Sequence, residues 1–212
     1  MIENEEQARA WLASTLPEAD LVAIDRLDRL TQMLVAENGR QNLVSEASLA
    51  EVWRRHIADS AQLLKYVPRG TTPWLDLGTG AGFPGLVIAI LRPECQVVMI
   101  ESRKRRIEWL ERAKSALGLD EASVVGARLE VVEEFPAAVI SARAFAQLAP
   151  LLVVSARFST TDTTWLLPKG RSAAQELDGL TGWRHTFHVE QSLTDPDAGI
   201  IVGTLLGRDL RT

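Results

Sequence analysis

The chain has 212 residues and a single cysteine, Cys95. A disulfide framework and any C-x-x-C zinc or redox motif are thereby excluded, no metal site is expected, and stability has to come from buried apolar surface. Cys95 opens the apolar run Cys95-Gln96-Val97-Val98-Met99-Ile100 and reads as a strand residue with a structural thiol. Long hydrophobic runs are missing as well: none approaches the ~18 residues of a membrane span. The N-terminus, Met1-Ile2-Glu3-Asn4-Glu5-Glu6, is acidic where a secretory signal is basic and then apolar, so a cytoplasmic protein with no membrane association is expected. Internal repeats and low-complexity segments are absent too. There is no excess of positive charge. The formal net charge of -5 argues against indiscriminate nucleic-acid binding, although the sum conceals two basic groups, Arg54-Arg55-His56 and Arg103-Lys104-Arg105-Arg106. Each reads as a solvated helix face or as a binding patch, and neither decides a partner alone.

What is present is a core-building composition, 46% hydrophobic, arranged in two textures. From Glu5 to about Val67 apolar residues recur at helical spacing, as in Leu21, Ile24, Leu27, Leu30 and Leu34. Glu37 to Asn42 breaks the pattern as a loop, with Ser45 or Ser48 available to cap the next helix. Pro68, Gly70 and Pro73 mark a boundary. Residues 1–70 are therefore expected to form a helical segment packed on an α/β domain of residues 71–212. In that second part short apolar runs alternate with helical ones, the pattern of a mostly parallel sheet covered on both faces. Strands are expected near 73–77, 96–100, 122–126, 137–142, 162–168, 184–190 and 199–206, with helices near 84–92, 103–117, 146–157 and 172–179.

The first of these strands runs into Trp74-Leu75-Asp76-Leu77-Gly78-Thr79-Gly80-Ala81-Gly82-Phe83-Pro84-Gly85. A glycine-rich turn at the carboxyl end of a parallel strand is where open α/β sheets bind ligands. Gly80 to Gly85 fits the G-x-G-x-x-G dinucleotide fingerprint, yet a carboxylate at Asp76 would oppose a pyrophosphate held at the helix N-terminus. S-adenosylmethionine brings a sulfonium and an ammonium instead, which an acid favours directly or through water. Gly78, Gly80 and Gly82 would then allow close backbone approach. Glu101, about 20 residues on at the end of the second strand, is placed to accept from ribose hydroxyls and suits either ligand.

If a methyl is transferred, the acceptor dictates the site. The Asn/Asp-Pro-Pro-Tyr/Phe tetrapeptide of exocyclic-amine methylation is missing, and Cys95 is a poor nucleophile for pyrimidine C5 chemistry. A ring nitrogen such as guanine N7 attacks with its own lone pair, so alignment and electrostatic complementarity matter more than a general base.

The run "NLVSEASLAEVWRRHIADSAQLL", followed in order by "WLDLGTGAGFPGLVIAILRP", "ESRKRRIEWL", "VISARAFAQL" and "LLPKG", resembles the bacterial small-subunit ribosomal RNA methyltransferase G family, also called glucose-inhibited division protein B. The likeness covers nearly the whole chain. Arg55-His56-x-x-Asp59-Ser60 together with the glycine turn and Ala142-Arg143-Ala144 make it far more specific than the glycines alone.

The resemblance implies a class I, Rossmann-like methyltransferase that uses S-adenosylmethionine to methylate guanine N7 in the decoding-region loop of 16S rRNA, within the small ribosomal subunit or an assembly intermediate. It implies that Gly78 and Phe83 contact the donor, that Leu129 and Glu130 lie beside its adenine, and that Arg143 lies at its methionine end. Arg143 and Lys169 would serve the catalytic end, and with Arg128 they would form a positive cluster toward RNA phosphate. Arg55 and Asn42 are further RNA contacts under this reading. His56 and Asp59 form a packed hydrogen-bonding pair or touch RNA; Asn38 and Asn42 cap helices or touch RNA. Two departures stand out: Val44 where many relatives carry threonine, and Ala198-Gly199 where the family usually carries an arginine. A dinucleotide-dependent oxidoreductase and a non-catalytic RNA or ribosome-assembly binding module are the rival readings.

Overall fold

The computed structural model describes residues 1–209. The chain opens with α1 (Glu5–Thr15) and α2 (Leu21–Asn38), each started by a side-chain cap: Asn4 accepts from the Gln7 N–H, and Asp20 from the Ala23 N–H. After a loop, Ser45 caps the single turn α3 (Glu46–Leu49). A π-helical turn over Trp53–Ala58 then passes into α4 (Asp59–Ala61) and a 3-10 turn over Gln62–Tyr66. Both Glu5 carboxylate oxygens accept from the Trp53 and Arg54 N–H groups, so α1 caps the π turn from outside.

The sheet alternates with helices: β1 (Trp74–Leu77), α5 (Gly85–Leu91), β2 (Val97–Glu101), α6 (Lys104–Leu117), β3 (Ala122–Gly126) and β4 (Val139–Ala142). Next come α7 (Leu148–Ser155), β5 (Thr164–Gly170), α8 (Ala173–Asp178), β6 (Trp183–His185), β7 (His188–Gln191) and β8 (Gly199–Arg208). The strand order is β3-β2-β1-β4-β5-β8-β6, with β7 also pairing to β8. β3, β2, β1, β4 and β5 run parallel, and β8 returns antiparallel to β5. Order reverses between β1 and β4, and the crevice that opens there at the strands' carboxyl ends is where ligands bind in this class of sheet.

β1 and β4 are buried along their whole length, as strands covered by helices on both faces must be. On one face the apolar residues of α1, α2 and the π turn join those of α5 and α6 in a continuous cluster. On the other, α7 packs with Trp165, Leu167 and Phe187. None of the helices among the described residues is long and apolar enough to cross a membrane.

Two expectations are corrected. The strand expected over 184–190 is two strands, β6 and β7, because Phe187 turns inward to meet Trp165 edge-on at 6.3 Å. Gly203 of β8 permits this: a Cβ there would lie 2.8 Å from the Phe187 backbone. Cys95 is buried, as the sequence suggests, but lies in the loop before β2, its thiol donating to the Thr71 carbonyl.

The seam between the helical segment and the sheet is held by Arg92 at the end of α5, a charged side chain only 2% exposed. Its guanidinium donates to the carbonyls of Val67 (2.8 Å), Pro68 (2.9 Å) and Leu64 (3.4 Å) and lies 3.4 Å from Glu18. Arg92→Leu strands those buried acceptors and leaves Glu18 only the exposed Arg69 at 3.6 Å, so it is expected to lower unfolding free energy by about 3–5 kcal/mol in urea titrations. A loss below about 1 kcal/mol would show that the seam rests on apolar packing alone.

Candidate active site

The glycine turn is built around Asp76. The carboxylate is fully buried: Oδ2 accepts from the Gly85 N–H at 3.0 Å, and Oδ1 from the Ser141 hydroxyl at 2.7 Å. Ser141 in turn accepts from the Trp74 indole N–H at 2.8 Å. One acid on β1 thus fixes the start of α5 and the neighbouring strand β4. Burial pushes its pKa up to about 6, while the Thr79 and Ser141 hydroxyls, the Gly85 N–H and the Arg143 charge pull it down. Asp76 is therefore engaged within the protein, and these hydrogen bonds shape the turn.

Gly82 is glycine because α5 and α6 press on it, with a Cβ there falling 2.3 Å from Leu86 and 3.1 Å from Leu110. Phe83 is buried with its ring stacked on His56 at 4.9 Å. Gly78 and Gly80 stay partly open, and Gly78 borders a groove of about 330 Å³ with Glu101, Arg103, Arg106, Arg128, Leu129 and Glu130.

Glu101 Oε1 accepts from the Ser102 and Arg103 N–H groups, both at 2.8 Å, and Oε2 from the Gly80 N–H at 3.1 Å. Oε2 keeps one acceptor site beyond the Gly80 bond. A preorganised acid at the end of β2 beside a glycine turn fits the ribose of an adenosyl group. Leu129 is buried in a 3-10 turn, Leu129–Val131, and offers the groove its backbone; Glu130 is exposed and paired with Arg128 at 3.2 Å.

A larger groove of about 710 Å³ lies on the other side of β4. Arg143, immediately after β4, crosses to the helical segment: its guanidinium donates to the Arg55 carbonyl (3.2 Å), to Asp59 (3.3 Å) and to His56 Nδ1 (3.1 Å), and stands over the Phe83 ring. His56 and Asp59 thus do not pair with each other; both hold Arg143. Asp59 also accepts from Gln62 and Thr194. Arg55 reaches Asp195 at 3.1 Å. Lys169, its side chain only 7% exposed, pairs with Glu176 at 2.9 Å and donates to the Ala146 carbonyl.

The expected positive cluster is corrected on this geometry. Arg128 lines the smaller groove, whereas Arg143 and Lys169 line the larger one, and all three are already paired with carboxylates. Asn38 is a turn-former, its side-chain oxygen accepting from the Leu43 and Val44 N–H groups at 2.9 and 3.0 Å. Asn42 stands exposed in that loop, whose residues Leu43, Val44 and Ser45 rim the larger groove. Ala198 and Gly199 line its far side; a Cβ on Gly199 would fall 2.7 Å from both Ala173 and Val189, so no arginine fits at 199. Phe145, absent from the expected residues, borders both grooves. The signal that points to it is its place just past the carboxyl end of the strand beside the glycine turn.

Comparison with known proteins gives the family and the fold. Residues 23–193 match the family model described as rRNA small subunit methyltransferase G. The ribosomal RNA small subunit methyltransferase G of Erythrobacter litoralis is 57% identical over 204 residues, covering 96% of this chain and 97% of its own. A mutant of MtNAS in complex with S-adenosylmethionine superimposes with a TM-score of 0.58 at 15% identity, over 96% of this chain and 84% of its own. A methyltransferase from Geobacter sulfurreducens gives 0.54 at 16% identity, over 95% and 96%. The class I fold is common to all of them.

Burial first, then the Arg143 and Arg55 charges, push the His56 pKa from 6.5 down to about 3. The unfolded chain takes up this proton near pH 6.5 and the folded chain does not. The stabilisation from neutral His56 is therefore whole above pH 6.5 and is withdrawn as pH falls toward 3. In urea unfolding, the stability difference between wild type and His56→Gln is expected to shrink by about 1.4 kcal/mol per pH unit below that point. A difference that stays constant between about pH 7.5 and 5 would mean that His56 titrates normally.

Proposed function

Since the chain belongs to the ribosomal RNA small subunit methyltransferase G family, we propose that it methylates N7 of a guanine in the decoding-region loop of 16S rRNA, in the cytoplasm and on the small ribosomal subunit or its assembly intermediate. It is an S-adenosylmethionine-dependent rRNA methyltransferase. When bound, S-adenosylmethionine supplies an electrophilic methyl on a sulfonium.

The observation that carries the choice of N7 is the state of the acids and the histidine around the larger groove. Asp59 is held by Arg143, Asp195 by Arg55 and Glu176 by Lys169, while His56 Nδ1 receives a hydrogen bond from Arg143. Each of these acids is thus already paired with a cation, and the histidine nitrogen that could take a proton is already an acceptor. An exocyclic amine would need one to be free; a ring nitrogen with its own lone pair does not. The chain's work is then to hold two partners in line.

In this reading Glu101 holds the ribose and the Leu129–Glu130 backbone borders the adenine. Gly78 gives the turn its close approach, and Gly80 presents its N–H to Glu101. Arg143 sets the floor of the acceptor groove by locking β4 to the helical segment. Lys169 acts as a positioning residue through the Ala146 carbonyl rather than as a free cation. Arg128, Arg55 and Asn42 contact RNA at the groove edges. The 1–70 segment serves as a wall of the acceptor groove, working as one body with residues 71–212.

Nuclease digestion and mass spectrometry of 16S rRNA, with and without the gene, should show one 7-methylguanosine lost in the deletion and restored by the gene; an unchanged level refutes the assignment. Glu101→Gln turns an amide N–H toward the N–H groups that Glu101 now accepts from and removes a charge. It is expected to weaken S-adenosylhomocysteine binding at least about 10-fold by calorimetry. Unchanged affinity would remove the ribose role.

A further inference from the structure

The two grooves share only two lining residues among those described, Ala144 and Phe145. Ala144 adopts φ of 51°, a left-handed conformation unusual for alanine, and it turns the chain back across the end of β1. Phe145 then lies with its ring on the glycine turn: a Cβ on Gly78 would fall 2.1 Å from the ring edge. The residue is nevertheless 40% exposed, the one aromatic among the exposed large hydrophobic residues described. Nothing in the core needs it there, and it is supported from behind, since Lys169 holds the next residue's carbonyl and Glu176 accepts from the Leu148 N–H at 2.7 Å.

We propose that Phe145 is the stacking face for the acceptor base, positioned so that a guanine resting on it presents N7 edge-on to the donor groove. This rests on the methyltransfer reading above and extends it to the residue that sets the base plane. N7 carries its lone pair in the plane of the ring, so only a base whose tilt is fixed can align that lone pair with the carbon–sulfur bond. A flat aromatic wall between the grooves fixes the tilt without contributing a proton acceptor. As the bond from N7 to the methyl carbon forms and the carbon–sulfur bond breaks, the bonding electrons leave with sulfur and positive charge moves onto the base. An aromatic face stabilises a cation above it.

The test compares Phe145→Ala, Phe145→Leu, Phe145→Tyr and Phe145→Trp with wild type on small subunits from a strain lacking the gene. At saturating donor, the alanine and leucine variants are expected to lose about 10- to 100-fold in turnover, the range of one base–aromatic stack. Tyrosine and tryptophan should stay within about 3-fold of wild type, and S-adenosylhomocysteine affinity and melting temperature should be held across the series. Leucine performing as well as phenylalanine, or donor affinity falling in parallel with turnover, would overturn the inference, the latter by making the ring a wall of the donor site alone. Should alanine fail to fold, leucine against tyrosine decides. Wild-type transfer on the same particles scores the parent reading separately: its failure there would refute both, whereas an active wild type with an equally active leucine variant refutes only the role of Phe145.

Discussion

A carboxylate with no access to water organises this molecule. Asp76 sits in the middle of β1, the strand between the two halves of the sheet, where an isolated charge would be strongly disfavoured. It is tolerated because the Gly85 N–H and the Ser141 hydroxyl approach it from two different elements. Those elements have no freedom left: α5 must begin where its amide meets the acid, and β4 must run in the register that puts Ser141 opposite Asp76. The glycine turn is the chain that remains between these fixed points. Its groove, and the Glu101 acceptor beside it, follow from that closure.

Arg143 carries the constraint outward. It leaves the sheet one residue past β4, and its hydrogen-bond partners all belong to the helical segment. The helices of the first part are therefore a structural member of the larger groove, joined by a charged side chain there and by Arg92 at the opposite end of the seam. Since His56 stays neutral, it accepts from Arg143 without adding a like charge beside it.

Much of this was legible because parallel strands buried on both faces leave short apolar runs, as in Trp74-Leu75-Asp76-Leu77 and Val97 to Ile100. The same local logic found the glycine turn and Glu101. What escaped depended on partners far along the chain. The acid that seemed to select a methyl donor is buried and bonded to the Gly85 N–H and to Ser141, which lies 65 positions later. The donor therefore follows from family membership, while Asp76 explains the shape of the turn. Phe187 breaks its strand to meet Trp165, and Phe83 is drawn under His56, neither of which a local pattern encodes. Lys169 read as a free cation because Glu176 belongs to the following helix.

The pairing of arginines and lysine with nearby acids bears on how the surface meets RNA in bulk. Arg55, Arg128, Arg143 and Lys169 each keep an internal carboxylate as counterion. An incoming phosphate has to compete with that carboxylate, and few condensed ions are set free when it succeeds, so the usual entropic pull of a polyanion is muted. At these four side chains, charge alone would give an arbitrary strand little hold, and shape is left to discriminate.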